Sequence, residues 1–161
     1  MSFDVFLVTF RDGSNAQADR RAARAVLDSF DFAHDPESSC YEINFNDGTH
    51  LEMYTAGLHD DNQDFSTAMF ALRGLSDEIA EFMYEFSKAA GSVMFPAMEP
   101  PCVLIPREDL VAHLPQDLAD ECARIPIADA KELHAALIGG YDSWRAFRDQ
   151  VIADQRPSDE G

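Results

Sequence analysis

The chain has 161 residues, 46% of them apolar, and carries 30 acidic side chains against 12 basic ones for a formal charge of −18. Length and apolar content support a hydrophobic core, which excludes a disordered acidic tail and removes the need for a disulfide scaffold. The charge argues against contact with nucleic-acid phosphates or an anionic bilayer, which repel it over about 8 Å at physiological salt, so a macromolecular partner is expected to be basic.

In chain order, Phe3 to Phe10 put Phe3, Val5 and Leu7 on one face and Phe6, Val8 and Phe10 on the other, the pattern of a central strand covered on both sides. Asp12-Gly13-Ser14-Asn15 is turn chemistry. Ala23, Val26, Leu27 and Phe30 then recur at helical spacing between Gln17 and Phe30. Asp31 to Ser39 reads as a loop around Pro36. The alternating runs Tyr41, Ile43, Phe45 and Leu51, Met53 flank Asp47-Gly48 and predict a β-hairpin. Gly57 to Asp64 is an acidic loop and Phe65 to Leu72 a further strand. Ser76 caps a helix whose buried stripe is Ile79, Phe82, Met83 and Phe86 and which ends at Gly91. Ser92 to Phe95 and Cys102 to Ile105 are short strands bounded by prolines, which belong at sheet edges or strand ends. A turn near Glu108 to His113 precedes two helices, about 130–138 and 142–153, separated by Gly139-Gly140. Trp144, Phe147 and Val151 share one side of the last helix. The expected fold is α+β: an antiparallel or mixed sheet of about five to six strands with helices mainly on one face, ferredoxin-like in its first part. Residues 1–155 form one domain in this reading and 156–161 a flexible tail.

The amino-terminal segment lacks the basic residues of an export signal, and no apolar stretch reaches the roughly 20 residues that cross a bilayer. Cys40, Cys102 and Cys122 are widely spaced and odd in number, as in a reducing compartment. A cytoplasmic location is expected.

Charge is unevenly distributed. The 48 residues between Arg24 and Arg73 contain no lysine or arginine and ten acids. A two-residue Asp47-Gly48 turn would mix apolar and polar faces in the hairpin. A three-residue Asn46-Asp47-Gly48 loop with a left-handed Gly48 instead pairs Ile43 with Leu51 and Tyr41 with Met53 on the core side. The other face then sets Asn44 opposite His50 and Glu42 opposite Glu52. Facing carboxylates repel by about 0.2–1 kcal/mol, so solvent screens them or something positive binds them. Glu42, Asn44, His50 and Glu52, with Asp60, Asp61 and Asp64 of the acidic loop, are therefore the candidate partner-binding residues.

Motifs for specific chemistry are missing. Asp60, Asn62 and Asp64 begin like a calcium loop, but Phe65 replaces the turn glycine and Ala71 the bidentate glutamate. There is no phosphate-cradling glycine loop, no nucleophile elbow and no H-E-x-x-H. Cys102 sits in an apolar strand, unsuited to a thiolate nucleophile with His113. His134 is expected at the surface or half-buried on its helix, and His34 in a loop.

Phe3-Asp4-Val5-Phe6-Leu7 with Phe10-Arg11-Asp12-Gly13, and Gly91 to Pro96 with His113-Leu114-Pro115, resemble a pattern found in small, acidic, uncharacterised bacterial proteins. The resemblance implies a bacterial cytosolic origin and assigns no site residues.

The sequence thus points to a non-enzymatic interaction protein whose acidic face binds a basic protein, as an immunity protein or inhibitor does, with no cofactor and no catalytic residues. The alternative is a small metal-binding or hydrolytic enzyme using Glu42, His50 and Glu52. A homodimer through the proline-bounded strands or the C-terminal helix is also compatible with the sequence.

Overall fold

The computed structural model describes residues 2–155; the side chain of Phe147 and the expected tail 156–161 fall outside the described residues. The elements are β1 (Phe3–Val8), β2 (Phe10–Arg11), β3 (Ser14–Asn15), α1 (Arg20–Asp28), β4 (Asp31–Asp35), β5 (Cys40–Asn44), β6 (His50–Tyr54) and β7 (Thr67–Leu72). They continue through α2 (Asp77–Ala90), β8 (Val93–Pro96), β9 (Cys102–Ile105), a 3-10 turn (Glu108–His113), α3 (Leu118–Glu121), β10 (Ala123–Pro126) and α4 (Ala130–Gln155).

Eight strands form one mixed sheet in the order β10-β9-β8-β1-β7-β6-β5-β4. All neighbours are antiparallel except β9 and β10. The sheet therefore exceeds the expected five to six strands. One addition is β4, read from sequence as loop: its Asp-Phe-Ala-His-Asp has poor strand propensity, yet Phe32 and His34 alternate inward against Ile43 and Tyr41. The other is β10, which pairs in parallel with β9. Because β10 covers that side, β8 and β9 are interior strands, and their prolines lie at strand ends or in the connections.

Apolar alternation decides which face is buried. Phe3, Val5, Leu7, Ile43, Leu51, Met53, Phe70 and Leu72 are at most 1% exposed and meet the helix layer. In that layer α2 lies between α1 and α4. This sandwiching explains why α2 buries Ala80, Tyr84, Ser87 and Ala90 in addition to its predicted stripe. The caps follow the sequence: the Ser76 hydroxyl accepts from the Ile79 amide at 3.2 Å, and Gly91 closes the helix at φ +75°. Asp19 caps α1 by accepting from the Ala22 amide at 3.0 Å.

Two further expectations are corrected. α4 is one helix, not two; Gly139 and Gly140 lie inside it, and a side chain on Gly140 would collide with Met98, so the glycine admits a close approach rather than a break. β1 is not covered on both sides. The 3-10 turn contributes Leu110 and Leu114 to a second, smaller cluster with Val93, Val103 and Ile105 of β8 and β9. Among the described residues no helix packs over the outer face from β1 to β4, and Phe6 remains 45% exposed.

Candidate functional site

The outer face of β1, β7, β6, β5 and β4 is ordered in rows by the strand register. One row runs Asp35, Cys40, Tyr54, Met69, Phe6, Phe95, and the next Ala33, Glu42, Glu52, Ala71, Asp4. A third aligns Asp31, Asn44 and His50. An apolar band thus runs beside rows of carboxylates. Phe6, Val8, Tyr54, Thr67 and Met69 line a groove of about 380 Å³ on it.

The hairpin has the register its loop implies. Gly48 takes φ +85°, the Phe45 amide donates to the Thr49 carbonyl at 3.0 Å, and Glu42 stands opposite Glu52. Asp47 accepts from the Thr49 amide at 2.9 Å and from its hydroxyl, and these bonds hold its carboxyl below the usual range. The Glu42–Glu52 repulsion is relieved on one side only. Arg73, just beyond β7, lies 3.2 Å from Glu52 Oε1, and the Tyr54 hydroxyl donates to Oε2 at 2.9 Å. Glu52, acting on the phenol as an acceptor, is the main cause raising Tyr54 to about 12. The ion pair is exposed on its Arg73 side, so it contributes at most about 1 kcal/mol.

The acidic loop goes elsewhere. Leu58 and Phe65 anchor it in the core, and Arg24 of α1 donates through Nε to the Leu58 carbonyl. Arg20 and Arg24 reach Asp61 at 3.1 and 3.2 Å, and Arg20 donates to the Gln63 carbonyl at 2.6 Å. Asp60 accepts from the Asn62 amide at 3.0 Å. Asp60, Asp61 and Asp64 therefore lie with the helix layer, apart from Glu42, Asn44, His50 and Glu52 on the open face. The cation-free stretch is compensated from its two ends, by Arg20 and Arg24 before it and Arg73 after it.

Both Glu52 oxygens have partners, and among the described residues no three His, Cys, Asp or Glu side chains group as a metal-ligand set. Glu42, His50 and Glu52 are thus not assembled as a chelating centre. Cys102 is buried, and burial pushes its thiol up; His113 accepts the Asp12 amide at 3.2 Å. His134 pairs with Asp77 at 3.0 Å, tying α4 to α2. Tyr141 is buried and Trp144 packs on the same core, 5.5 Å from it.

One cluster is absent from the sequence reading. His34 stacks on Tyr41 with ring centres 4.1 Å apart and planes within 5°, and the Tyr41 hydroxyl is 2.7 Å from Nδ1 of His59 in a hydrogen bond. The strand-like alternation of Phe32 and His34 was the available signal. Burial raises Tyr41 to about 12, above the usual 10 of a phenol. Its stabilising contribution is present below about pH 10, where the unfolded phenol is still protonated, and is lost as pH rises through about 12. Urea midpoints measured from pH 9 to 11.5 should fall more steeply for the wild type than for Tyr41→Phe; parallel profiles would contradict this.

No helix among the described residues is long and apolar enough to cross a membrane. No protein-family model, curated protein or solved structure shows a significant match to the chain.

Proposed function

We propose that the chain is a non-enzymatic interaction protein that docks a basic protein partner on the open face of its sheet, in the manner of an immunity protein or inhibitor. The observation that carries this reading is the uncovered row of Tyr54, Met69 and Phe6, flanked by Glu42, Glu52 and Asp4 in the next row and ended by Asp35, in a chain of charge −18. Apolar area at the centre of such a patch supplies affinity, and the carboxylate border speeds encounter with a cationic surface. The loop carboxylates Asp60 and Asp64 add long-range attraction only. The reading places the protein in the cytoplasm as a single domain over 1–155, supported by its free cysteines. Its first part is taken as ferredoxin-like because α2 carries the chain from β7 to β8 with β1 between them.

Immobilised wild-type protein should retain a basic protein at low salt and release it at high salt. Phe6→Asp, at a position 45% exposed, should abolish retention without moving the thermal midpoint. Equal retention by wild type and variant, or no basic protein at either salt, would overturn the reading.

A further inference from the structure

The helix-layer end of β4 and β5 carries a second constellation, independent of the open face. His34 and His59 both line a cavity of about 120 Å³, together with Ser39, Tyr41 and Asp60. Their ring centres are 5.4 Å apart. Two imidazoles bound to one ion through bonds of about 2.0–2.1 Å at a tetrahedral angle have ring centres about 5 Å apart. The cavity has room for an ion and a few waters, each occupying about 30 Å³.

We propose that His34 and His59 form a binding site for one divalent transition-metal ion of the zinc type, water filling the remaining coordination positions. His59 is prepared for this by its neighbour. In the tautomer whose Nδ1–H donates to the Tyr41 oxygen, 2.7 Å away, Nε2 is the nitrogen left to ligate, and a metal-bound histidine characteristically donates its other ring N–H to an oxygen in this way. His34 is oriented by stacking on the same Tyr41 ring. Arg24 opposes a cation, but its guanidinium is engaged by the Leu58 carbonyl and Asp61. Asp60, which lines the same cavity, favours one. Imidazole pairs suit zinc, nickel and copper ions better than calcium or magnesium.

The test titrates Zn²⁺ into untagged full-length protein at pH 7.5, reading heat and the imidazole ¹⁵N resonances of all five histidines. One ion is expected per chain, perturbing His34 and His59 first and reversed by chelator. His59→Asn and His34→Asn should each weaken binding at least about tenfold. Both sites are at the sheet edge or in an exposed loop, and unchanged thermal midpoints would show that folding is retained. No uptake, or first perturbation at His50, His113 or His134, overturns the proposal. Uptake that survives both variants but disappears in a Glu42→Gln, Glu52→Gln double variant also overturns it, assigning the metal to the open face. Failure here leaves the docking reading intact, because retention of a basic protein depends on Phe6.

Discussion

Phe82→Ala is expected to lower the unfolding free energy by about 3–5 kcal/mol, the range for deleting a fully buried aromatic ring. Phe82 is 0% exposed and joins parts of the core that come from distant segments. Its ring lies 5.1 Å from Phe30 after α1, 6.2 Å from Phe45 just after β5, 6.1 Å from Phe70 in β7 and 5.5 Å from Phe86 one turn along α2. The first three are edge-on contacts, the geometry in which aromatic pairs add to simple burial. Truncation leaves a void between helix layer and sheet that rigid neighbouring rings cannot close. Urea unfolding of both proteins measures the effect, and a chain of this length should lose roughly 10 °C in its thermal midpoint. A loss below about 1.5 kcal/mol would show that the ring does not hold these elements together.

Gly57→Ala should be the most damaging loop substitution. Gly57 takes φ +84°, and a methyl group there would overlap the Asp64 carbonyl oxygen, with the Asp64 carbonyl carbon at 2.6 Å and the Gln63 oxygen at 2.9 Å. A non-glycine residue in that conformation costs about 1–3 kcal/mol before any collision. Backbone atoms cannot step aside as side chains do. The loop must therefore reopen, weakening the burial of Leu58, the Arg20 and Arg24 contacts and the Tyr41–His59 hydrogen bond. Gly48→Ala is the control, with a similar φ of +85° and nothing within 4 Å of the added atom. Denaturation should show Gly57→Ala to be at least about 1 kcal/mol more destabilising than Gly48→Ala. Equal losses would mean that strain alone acts and that the loop is not closed on itself.

Several errors in reading the sequence have a common origin. Pro36 and three polar residues concealed β4, whose inward Phe32 and His34 acquire meaning only beside Ile43 and Tyr41. Gly139-Gly140 was read as a break because glycine is a poor helix former in isolation; packing of Gly140 on Met98 reverses the preference. The acidic stretch looked uncompensated because Arg20, Arg24 and Arg73 lie outside it in the chain and beside it in space. Of the candidate residues, Glu42, Asn44, His50 and Glu52 do share the outer face of the hairpin, while the loop aspartates belong to the other side of the sheet.

Features governed by near neighbours were readable directly: the alternation and three-residue loop that set Glu42 against Glu52, and the serine cap, apolar stripe and terminal glycine of α2. These depend on periodicities of 2.0 and 3.6 residues and on local backbone geometry, which any sequence displays. Which strands become neighbours depends instead on burying faces separated by tens of residues, a choice made by the whole core at once. That choice brought Arg73 to Glu52, drew the acidic loop to α1, left Phe6 in solvent and placed His59 against Tyr41.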